Sequence, residues 1–129
     1  MTYEYAINEL ATDIFNTNVK AGWWTNIETG RSLQPADKED TRNVGELLCL
    51  VHSEISEAME GHRKGLMDDK LPHRPMFEVE LADAMIRILD IAGAYGMDLG
   101  GAIAEKRAYN AKRSDHQLEN RKTANGKKY

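Results

Sequence analysis

Glu54-x-x-Glu57 and Glu80-x-x-Asp83 are the residues of this chain best able to do chemistry. Acidic side chains three apart lie on one face of a helix, so each pair turns its carboxylates in one direction. Four carboxylates from two helices make an all-oxygen ligand set, which suits Mg²⁺ or Mn²⁺ rather than zinc. A di-iron bundle site would need Glu-x-x-His pairs. None of His52, His62, His73 or His116 has a glutamate three residues before it. The competing reading is structural: Arg87 and Lys106 act as counter-ions, and the chain is a helical interaction module without metal.

The elements that must carry these pairs are helices. Val44, Leu47, Leu48, Val51, Ile55 and Ala58 recur at three- and four-residue spacing, which predicts a helix over 41–63. With each residue advancing about 100°, Glu54 stands about 60° from the centre of that stripe and Glu57 about 120°. A third helix is expected over 75–95, opened by Pro75 and stopped at Gly96. It is apolar almost all round, and Glu80, Asp83, Arg87 and Asp90 fall in one arc roughly 80° wide. An all-round apolar helix is expected to be buried, and a buried acidic strip needs a cation beside it. The first helix is read over 4–19 and the fourth over 99–113, the latter capped by Asp98. No strand is expected, so the fold class is all-α, a four-helix-type bundle.

Composition narrows the function classes. One domain's worth of sequence, 129 residues with a net charge of −4, argues against a grip on long nucleic acid, which is usually basic. The single cysteine, Cys49, excludes an internal disulfide framework and is expected to be a small buried apolar residue. No run of residues reaches the length of a membrane span, and the N-terminus lacks the pattern of a secretory signal. The expected location is the cytoplasm. Residues 1–113 are read as the domain and 114–129 as a polar, flexible tail.

On the fourth helix Lys106, Asn110 and Arg113 share a face, a cationic and amide surface fit for phosphate oxygens. Glu54-x-x-Glu57, then 22 intervening residues, then Glu80-x-x-Asp83, then Lys106-x-x-x-Asn110-x-x-Arg113, resembles the MazG-type all-α nucleoside triphosphate pyrophosphohydrolases over about residues 4–113. The resemblance implies a homodimer or homotetramer holding Mg²⁺ or Mn²⁺ on Glu54, Glu57, Glu80 and Asp83. It implies hydrolysis of a nucleoside triphosphate to a monophosphate and pyrophosphate, with purine deoxynucleotides, dGTP in particular, as favoured substrates. Lys106, Asn110 and Arg113 would contact the phosphates. Glu57, Glu54 and Lys106 form the catalytic group, with Glu57 as the guess for the base that accepts a proton from water. The stretch from Asn16 through Trp23 and Trp24 resembles the family's base-recognition region, although packing of the two indoles is an equal alternative. A phosphoribosyl-ATP or dUTP/dCTP pyrophosphohydrolase on the same fold is the nearest rival.

Overall fold

The computed structural model describes all residues, Met1–Tyr129, and contains helices and turns with no strand. Five α-helices follow in order: α1 Tyr3–Lys20, α2 Val44–Lys64, α3 Met76–Ala94, α4 Leu99–Lys112 and α5 Leu118–Arg121. No helix is long and apolar enough to cross a membrane. The chain divides into two compact units, one of Glu9–Met97 and one of Met1–Asn8 with Asp98–Tyr129.

Within Glu9–Met97, local chemistry sets the helix limits. The Asn43 side chain accepts from the Glu46 N–H and starts α2 three residues later than its apolar pattern predicts. Gly65, at φ 62°, ends α2 in the left-handed region, and its N–H returns to Gly61 and His62 carbonyls. Helices α2 and α3 pack on each other, with Ala58 and Ala84 among the small residues buried there. Helix α1 comes so near α3 that a Cβ on Gly93 would sit 2.6 Å from the Ala11 carbonyl oxygen.

Trp24 anchors this unit. It is 0% exposed and packs with Leu47 and Ala94, flanked by Phe15, Val19, Leu33 and Ile91. The Phe15 ring meets it edge-on at 5.6 Å, and the Arg42 guanidinium lies 5.0 Å from its centroid. Trp24 is thus core and offers no open face to a base, while Trp23 is 65% exposed.

Two further expectations need correction. Helix α3 is not enclosed: Phe77, Leu81 and Met85 stand open on it, as do Val44, Leu48, Ile55 and Met59 on α2. Each helix covers one flank of the other, and the remaining apolar stripe stays about half exposed, although the His62 ring lies 5.1 Å from that of Phe77. Cys49 is exposed rather than buried, about 100° around α2 from its neighbour Leu48.

In the other unit, the Asp98 carboxylate caps α4 at Gly101, and Asn8 bonds both Asp98 and the Gly100 N–H. The segment 114–129, expected as a flexible tail, instead forms the Ser114–His116 turn and α5. Its last residues fold back, with the Arg121 guanidinium donating to the carbonyls of Lys127 and Lys128. Arginine and lysine donors satisfying free carbonyls give this polar sequence an order that its composition hides.

Candidate functional site

Helices α2 and α3 bring three of the four acidic residues together. Ligand oxygens of Glu54, Glu57 and Glu80 all lie within 4.8 Å of one another. Asp83 is not in that group of three, but it sits one helical turn beyond Glu80 and close enough to feel the charges of Glu54 and Asp68. The burial of the group is graded. Glu57 is exposed, Glu54 is intermediate, and Glu80 is 8% exposed.

Electrostatics follow from that placement. Burial pushes the Glu80 carboxyl up to about 8, reinforced by its bond to Glu54 and by the charges of Glu57, Asp83 and Glu54. Burial also raises Asp83, with Glu54 and Asp68 adding to the shift and Arg87 opposing it. Glu80 Oε2 is buried with no hydrogen-bond partner. A buried acceptor left bare is costly and uncommon, and three converging carboxylates supply only acceptors. This arrangement can hold a cation or a proton, and little else.

Arg87 answers part of that demand, its Nε donating to Glu54 Oε1 at 2.8 Å. Asp68, missed by a reading that looked only for paired acids on helices, is the fifth carboxylate. It is 6% exposed, and its Oδ2 accepts the N–H groups of Lys70 and Leu71, tying down the loop 66–74. An Asp two residues before a backbone donor is the sequence signal for such a turn.

Of these acids, Glu54 and Asp83 line a cleft of ≈ 520 Å³, which they share with Arg87, Asp90, Asn18, Trp23 and Arg42. Asp90 is buried and accepts the Trp24 indole N–H, and Arg42 donates to the Trp23 carbonyl. Asp83 and Asp90 are seven residues apart on α3, which at helical rise is about 10 Å. The cleft therefore has an acidic end and an end with an open indole, an amide and a guanidinium. Asn16 is exposed and does not line it; Asn18, two residues on, does. Asn18 stands on α1 within the stretch read as the base-recognition region, whereas Arg42 carried no motif and is brought here by the loop after α1.

Lys106, Asn110 and Arg113 do share a face of α4 and its end. Lys106 Nζ and the Arg113 guanidinium both lie over the Tyr109 ring, at 4.8 and 5.7 Å from its centroid. Arg113 is also paired with Asp115 through two bonds of 2.9 and 2.6 Å, which raises its already high pKa. Asn110 Oδ1 is buried with no partner.

Compared with models of protein families, with curated proteins and with solved structures, the chain matches none.

Proposed function

We propose that this chain is a metal-dependent nucleoside triphosphate pyrophosphohydrolase, releasing a nucleoside monophosphate and pyrophosphate. One observation carries the reading. The oxygens of Glu54, Glu57 and Glu80 converge, with Glu80 Oε2 buried and bare, and Glu54 with Asp83 also lines a cleft that reaches Trp23 and Asn18. An all-oxygen set fits Mg²⁺ or Mn²⁺, held by Glu54, Glu57, Glu80 and Asp83. A divalent ion there supplies charge against phosphate oxygens and acidifies water.

The chain's own residues do the rest. Glu57, the most open of the acids, accepts a proton from the attacking water. Trp23 offers a ring for a base to stack on, and Asn18 and Arg42 offer polar groups to its edge. Lys106, Asn110 and Arg113 remain phosphate-binding candidates through the MazG-type resemblance. Their shared face supports that, while the Asp115 pairing of Arg113 weighs against the last of them. Purine deoxynucleotides, dGTP first, are the proposed substrates. The test is pyrophosphate release over all common NTPs and dNTPs with Mg²⁺, with products separated by chromatography. A nucleoside diphosphate as the main product would overturn the reading. Activity confined to dUTP, dCTP or phosphoribosyl-ATP would move it to the rival on the same fold.

The Arg87–Glu54 pair is the observation that favours an interaction module instead. Against it, the one guanidinium bonds Glu54 and acts on Asp83, which leaves Glu57 and Glu80 without a cation.

The same reading includes a homodimer forming a helical bundle through α2 and α3. Val44, Leu48, Ile55 and Met59 share one stripe of α2, and Phe77, Leu81 and Met85 occupy successive turns of α3, each leaving apolar surface open. Leu48→Glu with Leu81→Glu should give a monomer by analytical ultracentrifugation where the wild type sediments as a dimer. A monomeric wild type would remove the oligomer from the proposal.

A further inference from the structure

Arg87 is the cation that α3 places among the carboxylates, and its engagement is partial. Nε donates to Glu54 Oε1 at 2.8 Å, while the terminal nitrogens hydrogen-bond to nothing in the protein. The Arg87 side chain is 40% exposed against 13% for Glu54, so the guanidinium stands on the wet side of the pair and the carboxylate on the dry side. Both line the same cleft. A guanidinium with unused donors directed at an open cleft is an anion receptor, and its planar fork matches phosphate oxygens in particular.

The contact with Glu54 also has a built-in competitor. If Glu54 held a divalent ion, as the reading above requires, the ion and Arg87 would compete for the charge of one carboxylate. A divalent charge near Arg87 then repels it from the carboxylates. Within the cleft, Asp83 lies one turn before Arg87 and Asp90 one turn after it. Asp83 belongs to the ion's ligand set, and Asp90 already accepts from Trp24. A phosphate in the cleft has none of these conflicts. We propose that Arg87 is a ligand for the phosphate chain of the substrate, parked on Glu54 in the metal-free chain and displaced from it by the divalent ion. This inference rests on the metal-site reading of Glu54.

The experiment uses the full chain as wild type, Arg87→Gln and Arg87→Lys, with Mn²⁺ and inorganic pyrophosphate as probes in titration calorimetry. Removing the competitor should tighten Mn²⁺ binding in Arg87→Gln by up to about fivefold, the scale of a part-exposed ion pair. Pyrophosphate binding to the Mn²⁺-loaded variant should weaken about ten- to hundredfold, the loss of charge-assisted bonds. Arg87→Lys keeps the charge without the fork, so it should lie between the two in pyrophosphate affinity, and it serves alone if the glutamine variant does not fold. Mn²⁺ binding that is equal or weaker in Arg87→Gln overturns the parked pair and leaves the metal site standing. Tighter Mn²⁺ with unchanged pyrophosphate affinity in either variant overturns the phosphate role. A wild type that binds no Mn²⁺ overturns the metal site itself, and this inference with it.

Discussion

The indole N–H of Trp24 reaches both carboxylate oxygens of Asp90, at 3.0 and 3.3 Å, across 66 residues of sequence. The bond joins the loop after α1 to the last turns of α3, and it sets one wall of the cleft. The bulk of Trp24 fills the core of the unit, while its one polar atom is spent on the buried end of the acidic strip. A buried indole needs such a partner, and a buried carboxylate needs such a donor.

Trp24→Phe should therefore destabilise the chain by more than its lost volume. It removes the N–H and leaves Asp90 buried with its charge uncompensated, at a cost of about 1–3 kcal/mol or more. Asp90→Asn keeps an acceptor for the indole and removes the charge, so it should be milder. Thermal melts of both variants check this order. A Trp24→Phe protein melting with the wild type would mean that the bond contributes nothing.

Asp68 should matter to the loop rather than to the helices. Its Oδ2 holds the N–H groups of Lys70 and Leu71 at 3.0 and 2.7 Å, and its own N–H donates to the Arg74 carbonyl. Asp68→Ala should leave the helical circular dichroism unchanged and speed amide exchange across 66–74. It should also bring the Asp83 carboxyl closer to its ordinary range, since Asp68 is one of the charges that raise it. Unaltered exchange at Lys70 and Leu71 would contradict this role.

The pH dependence of stability has a definite sign. Glu80 is raised from an ordinary 4.5 to about 8, so the folded chain binds its proton more tightly than the unfolded chain does. The stabilisation is complete below about pH 4.5 and is lost as pH rises through about 8. Every tenfold gain in proton affinity on folding corresponds to about 1.4 kcal/mol. In EDTA, the melting temperature of the wild type should fall relative to Glu80→Gln between pH 5.5 and 8.5, because the amide cannot titrate. Parallel curves would show that Glu80 is not perturbed.

Helical periodicity made α1 to α4 legible to within a few residues, because stripes at 3.6 spacing and the end signals of Pro75, Gly96 and Asp98 are local. The acidic cluster was legible for the same reason: i, i+3 acids share a face whatever the tertiary fold. What escaped was non-local. Arg42 enters the cleft from the loop after α1, where it reaches the Trp23 carbonyl, and no spacing rule foretells that. The exposure of Cys49 and of the α3 stripe escaped too, since an apolar pattern says that a face avoids water and not which neighbour covers it. The order in 114–129 rests on Arg121 and Lys128 reaching main-chain carbonyls, which a polar composition does not reveal.

The sharpest contrast between a metal site and a purely structural acidic strip comes from Asp83→Asn. Without metal, Asp83 shares its surroundings with Glu54, Glu80 and Asp68, and burial together with the Glu54 and Asp68 charges raises its pKa. A charge held against that cost destabilises the fold, so removing it should leave the metal-free protein as stable as the wild type or more so. If Asp83 instead existed to balance Arg87, its loss would leave a partly buried cation short of a partner and lower stability. Divalent metal that binds only the folded state adds about 2.7 kcal/mol at a hundred times its Kd. For a chain of this size that is a melting shift of roughly several degrees. Wild type should therefore gain those degrees on addition of Mn²⁺, and Asp83→Asn should gain few or none while losing pyrophosphate release. The measurement is a set of four melts, wild type and variant, each in EDTA and in Mn²⁺. A wild type indifferent to Mn²⁺, together with a variant that melts lower in EDTA, would assign the strip to ion pairing and return the chain to the interaction-module reading.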